Sequence, residues 1–87
     1  MQNTTDAGID TETVAARGDA IYASHIRSVV EAQQGKFLVL DVLTEDYEVD
    51  WDDMAAQERL EERRPQGVFY GLRIGSPATY FVGGGVF

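Results

Sequence analysis

The chain has 87 residues, no cysteine, one histidine and 15 acidic against 7 basic side chains, which gives a net charge of −8. Without cysteine there is no disulfide framework, thiolate nucleophile, cysteine-ligated zinc or iron–sulfur cluster, and a pI near 4.3 opposes attraction to a phosphate backbone, so no nucleic-acid partner is expected. Apolar runs such as Phe37–Leu40 fall far short of the roughly 18 residues of a membrane span, and the N-terminus carries no basic or apolar leader pattern, so a cytoplasmic chain with no membrane contact is expected.

Residues 1–10 are polar and aperiodic and read as a disordered tail. Asp10 or Thr11 can cap a helix, and Val14, Ile21, Tyr22, His25, Ile26, Val29 and Val30 recur with helical period, which predicts one long helix over Glu12–Gln34 ended by Gly35. Gly18 falls on or beside that stripe, either to let the helix approach a sheet closely or because the first turns fray. Lys36–Leu43 is a nearly continuous apolar run, the pattern of a strand covered on two faces or central in its sheet. Thr44, Glu45 and Asp46 form a polar turn, and Tyr47, Val49 and Trp51 alternate with Glu48 and Asp50 as in a half-buried strand.

Asp50 followed by Asp53 resembles a capping box, so a second helix is expected over Trp51–Arg64, stopped by Pro65 and Gly67, with Arg59–Glu62 and Glu61–Arg64 as local ion pairs. Val68–Ile74 alternates, Gly75–Pro77 turns the chain, and Ala78–Val82 forms a last strand ahead of the glycine run Gly83–Gly85. One domain over 11–83 with a flexible tail at 84–87 results. Its class is α+β in the order αββαββ, a four-stranded, mainly antiparallel sheet packed against a long N-terminal helix and a short second helix. Placing the first strand between the second and third would explain its apolar run.

Seven carboxylates stand between Asp41 and Asp53 with no intervening base: Asp41, Glu45, Asp46, Glu48, Asp50, Asp52 and Asp53. The alternation of Asp46, Glu48 and Asp50 suggests a calcium loop, but Trp51 stands where the loop needs glycine and Gln57 where it needs its bidentate glutamate. Three readings stay open: helix capping and dipole stabilisation, a basic protein partner, or a metal. The partner-binding candidates are Glu45, Asp46, Glu48, Asp50, Trp51 and Asp52.

No catalytic residue, metal ligand or cofactor site is assigned. His25 would be the first choice for acid–base chemistry, yet its place in the apolar stripe predicts a partly buried structural histidine. Ser24, Ser28 and Ser76 occupy no strained elbow, and Gly83–Gly85 precede neither lysine nor helix. Tyr47, Trp51, Phe69, Tyr70, Tyr80 and Phe81 fall in or beside the sheet. With one sheet face left open, part of this aromatic set would be exposed and would support a homodimer. Arg59, Arg63 and Arg64 read as a solvated, locally paired patch.

The segments Gly18-Asp19-Ala20-Ile21-Tyr22, Gly35-Lys36-Phe37-Leu38-Val39-Leu40-Asp41, Tyr47-Glu48-Val49-Asp50, Arg64-Pro65 and Tyr70-Gly71-Leu72-Arg73-Ile74-Gly75 resemble a family of short uncharacterised bacterial proteins, frequent in cyanobacteria. Similar proteins are sometimes called antitoxin-like because of a presumed partner encoded nearby. The resemblance implies a small α+β domain and assigns no activity, cofactor or site residue. The expected function is a non-enzymatic interaction module, antitoxin-like or a regulatory subunit, that offers its carboxylates to a basic protein. The alternative is a small-ligand or divalent-metal binding protein, and a hydrolase using His25 comes last.

Overall fold

The computed structural model describes residues 11–76 with their side chains and the backbone of 79–84. The expected tail at 1–10, and residues 85–87 of the expected C-terminal tail, lie outside the described residues. The chain runs through helix α1 (Thr11–Ile21), a π-helical turn (Tyr22–Ile26), strands β1 (Phe37–Asp41) and β2 (Tyr47–Asp50), helix α2 (Asp53–Arg63) and strands β3 (Val68–Arg73) and β4 (Thr79–Gly84). This is an α+β chain.

The single helix expected over Glu12–Gln34 does not form, because α-helical winding ends at Ile21. The next five residues wind more widely, closed by the Arg27 N–H donating to the Tyr22 carbonyl at 2.8 Å, and turns then carry the chain to Gly35, whose φ is +92°. The β-branched pair Val29–Val30 is a weak helix former. Burial still follows one line through Val14, Ile21, Ile26 and Val30. The five-residue step from Ile21 to Ile26 is the wider π turn, and it takes His25 and Val29 out of the buried line into solvent. His25 is therefore exposed, contrary to the structural histidine expected.

The strands form one antiparallel sheet in the order β2-β1-β3-β4. Phe37 of β1 stands opposite Asp50 of β2 and opposite Arg73 of β3. Alternation along β1 and β3 gives the sheet two different faces. Leu38, Leu40, Tyr70 and Leu72 join Val14, Ile21, Ile26 and Val30 in the larger core, under α1 and the π turn. Val39 and Phe69 point the other way and pack with Ala56 and Leu60 of α2. Two helical layers on opposite faces account for the unbroken apolar run Phe37–Leu40. They bury Phe69 and Tyr70 of the aromatic set expected as a dimer contact, whereas Trp51 is exposed and the side chains of Tyr80 and Phe81 lie outside the described residues.

Gly18 is buried on the inner side of α1, where a Cβ would enter the Tyr70 ring. Close approach, and not fraying, explains this glycine, because α1 runs through it unbroken. Gly83, expected beyond the last strand, and Gly84, expected to begin the flexible tail, instead extend β4 and pair with Phe69 and Val68. Helix α2 starts two residues later than expected. Asp52 is its N-cap, its side chain accepting from the Met54 N–H at 3.0 Å, while Asp50 accepts from the Asp52 N–H at 2.8 Å. A run with an aspartate at 50, 52 and 53 offers several caps in sequence, and the strand pairing of Asp50 selects the later one.

Candidate functional site

Strand alternation places Asp46, Glu48 and Asp50 along one face at and beside β2, two residues or about 6.8 Å apart at each step. Across from them α2 carries Arg59 and Arg63 four residues apart, about 6 Å along a helix. The two spacings nearly match, and α2 packs directly over β2. Arg59 donates from Nε to Glu48 at 2.8 Å and from Nη1 to Asp50 at 3.0 Å. Arg63 grips both oxygens of Asp46, from Nε and Nη2, each at 2.9 Å, and a further nitrogen reaches Glu48. Arg64 adds a bond from Nε to Asp46 at 3.1 Å. Fork-shaped guanidinium groups suit this bidentate pairing.

The electrostatics follow the contacts. Arg63's hydrogen bond holds the Asp46 carboxyl below the usual carboxylate range against the opposing effect of burial, with Arg64 assisting. Burial pushes Glu48 up, but hydrogen bonds from Arg59 and Arg63 outweigh it and leave the group lowered. Asp50 is lowered first by the Asp52 N–H and then by Arg59. Both arginines are correspondingly raised, Arg59 by Glu48 and Asp50 and Arg63 by Asp46 and Glu48. The pairs expected within α2, Arg59–Glu62 and Glu61–Arg64, give way to these tertiary ones.

The six residues expected to form one partner-binding set therefore divide. Asp46, Glu48 and Asp50 come together, but around the chain's own arginines. Glu45 turns away at the tip of the β1–β2 connection, with φ +68°, and lies 3.1 Å from Nδ1 of exposed His25. Asp52 caps α2. Trp51 is 66% exposed, its ring bordering Gly35 and 5.6 Å below the Lys36 ammonium. Met54, one turn along, is 64% exposed. Exposed Glu58 and Glu62 continue the same side of α2.

Asp41 was counted only as part of the acidic run, yet it is the buried member. Its Oδ1 accepts from the N–H groups of Leu43 at 3.1 Å and Val68 at 3.0 Å, and its Oδ2 accepts from the Thr44 hydroxyl at 2.7 Å. One carboxylate thus ties the β1–β2 turn to the start of β3. The Asp41-Val42-Leu43-Thr44 spacing, an aspartate with a hydroxyl three residues on in a turn, was the sequence signal for it.

Among the described residues no group of three or more histidine, aspartate or glutamate side chains is arranged to hold a metal ion, and no helix is long and apolar enough to cross a membrane. No protein-family model, curated protein or solved structure matches the chain.

Proposed function

We propose that the chain is a non-enzymatic, cytoplasmic interaction module, antitoxin-like or regulatory, that docks a basic protein partner on the surface around Trp51, Met54 and Asp52. The observation that carries this reading is the exposure of both Trp51 and Met54 where the chain enters α2, either side of the N-cap Asp52 and ahead of exposed Glu58 and Glu62. Tryptophan buries a large area on docking and dominates many interfaces. A net charge of −8 selects for a basic partner and speeds its approach. The docking charge on this reading comes from Asp52, Glu58 and Glu62, with Asp46, Glu48 and Asp50 holding α2 in place. Those three carboxylates face guanidinium groups, which argues against the alternative reading of a divalent-metal cage built from them.

Affinity capture from the source cell's lysate tests the proposal, comparing the wild type with a Trp51→Ser/Met54→Ser variant at low and high salt. A basic protein held by the wild type, released by salt and lost from the variant supports it. Equal capture by the two proteins overturns it.

The outer edge of β2 gives a homodimer as the second reading, because among the described residues β2 pairs only with β1. A monomeric mass at all concentrations in sedimentation would remove that reading.

A further inference from the structure

On the sheet face away from α2, the wall formed by α1 and the π-helical turn borders a cleft of ≈ 560 Å³, within the range of small-molecule sites. Asp19, Tyr22, Arg27, Gln34, Tyr70 and Ser76 contribute polar groups to it, and Leu72 lines its apolar side. Residues five apart do not share a face in an α-helix. The π winding brings Tyr22 and Arg27 together, and the Arg27 guanidinium sits 5.7 Å from the centre of the Tyr22 ring. π turns inside helices are frequent at functional sites. This one shapes the cleft wall.

The two charged groups of the cleft are poised differently. None of the ion pairs among the described residues includes Arg27, which lines the cleft with its guanidinium over the Tyr22 ring. Asp19, which also lines the cleft, accepts the Tyr70 hydroxyl at Oδ1, which fixes the carboxylate in place. The cleft therefore presents one positive and one negative group. A ligand with a carboxylate at one end and an ammonium at the other satisfies both. A purely anionic ligand would meet Asp19 and the chain's net charge of −8. A cleft of ≈ 560 Å³ has room for a molecule of two residues.

We infer that this cleft binds a short zwitterionic peptide of dipeptide size, its C-terminal carboxylate on Arg27 and its N-terminal ammonium on Asp19. An aromatic or aliphatic side chain on the peptide would lie against Leu72 and the Tyr22 ring. Burial pushes the Tyr22 phenol up in pKa, with Arg27 opposing, so at neutral pH it remains a hydrogen-bond donor to the ligand. The site is separate from the Trp51 surface and does not rest on the docking proposal.

Amide chemical-shift titration with Ala-Phe, N-acetyl-Ala-Phe and Ala-Phe amide tests it on the wild-type chain. Ala-Phe is expected to shift the signals of residues 19–27 and Ser76 saturably, and each blocked form to bind about tenfold or more weakly, since each removes one charge-assisted contact. Arg27→Gln is expected to erase the preference over the amide, and Asp19→Asn the preference over the acetylated form while keeping an acceptor for Tyr70. The absence of a saturable shift with millimolar Ala-Phe, or equal binding of free and blocked peptides, overturns the inference whether or not the variants fold.

Discussion

Arg63 holds both carboxylate oxygens of Asp46 at 2.9 Å while the same guanidinium reaches Glu48, so a single α2 side chain clamps the start of β2 at two points. Together with Arg59 on Glu48 and Asp50, it turns the most acidic segment of the sequence into the seam between a helix and a sheet edge.

That seam makes stability depend on pH in a defined direction. Asp46, Glu48 and Asp50 have folded pKa values held below their ordinary ones, so the unfolded chain takes up protons first as pH falls. Their contribution is fully present above the usual carboxylate pKa of about 4 and is lost as pH drops through the lowered folded values. Thermal melts from pH 7 to pH 3 should show this decline, and Arg63→Gln should melt lower at pH 7 with a shallower fall. Parallel pH profiles for the two proteins would remove the seam as the cause.

Gly18 leaves no room for a side chain against Tyr70. Gly18→Val is expected to destabilise the fold by about 1–3 kcal/mol through overpacking, and urea denaturation reads the loss directly. Equal midpoints for the variant and wild type would show that α1 does not sit against the ring.

Two α2 residues separate core from surface. Leu60 is fully buried with Val39 and Phe69, so Leu60→Ala should lower stability by about 2–5 kcal/mol. Met54→Ala, at an exposed position, should stay within about 0.5 kcal/mol of wild type. Similar losses at both positions would mean that α2 packs on another face.

Asp41→Ala strands the N–H groups of Leu43 and Val68 and the Thr44 hydroxyl. A loss of about 3 kcal/mol is expected, with Asp41→Asn milder because an amide oxygen still accepts. Hydrogen exchange at Leu43 and Val68 should accelerate in the alanine variant, and unchanged exchange would show that the buried carboxylate does not tie the two segments.

The sequence was most legible where local pattern and tertiary environment agree. The run Phe37–Leu40 pointed to a strand covered on two faces, and Leu38 and Leu40 do pack under α1 while Val39 packs under α2. It was least legible where a period survives a change of winding. Val14, Ile21, Ile26 and Val30 keep one buried line through a π turn, so helical spacing alone extended the helix too far and placed His25 inside. The arginine seam was invisible for a different reason. Ion pairs along one helix can be read from spacing, whereas Arg59 and Arg63 meet residues nine to seventeen positions earlier, only because α2 folds back over β2.

The central claim is that the acidic run divides into a structural seam and a separate docking surface. Measuring the melting temperature and partner capture together for Asp46→Asn/Glu48→Gln/Asp50→Asn and for Trp51→Ser tests it most directly. The triple variant should melt lower and still capture the partner, and Trp51→Ser should melt as wild type and lose it. A triple variant that keeps its melting temperature but loses capture would contradict the account and return the carboxylates to the interface.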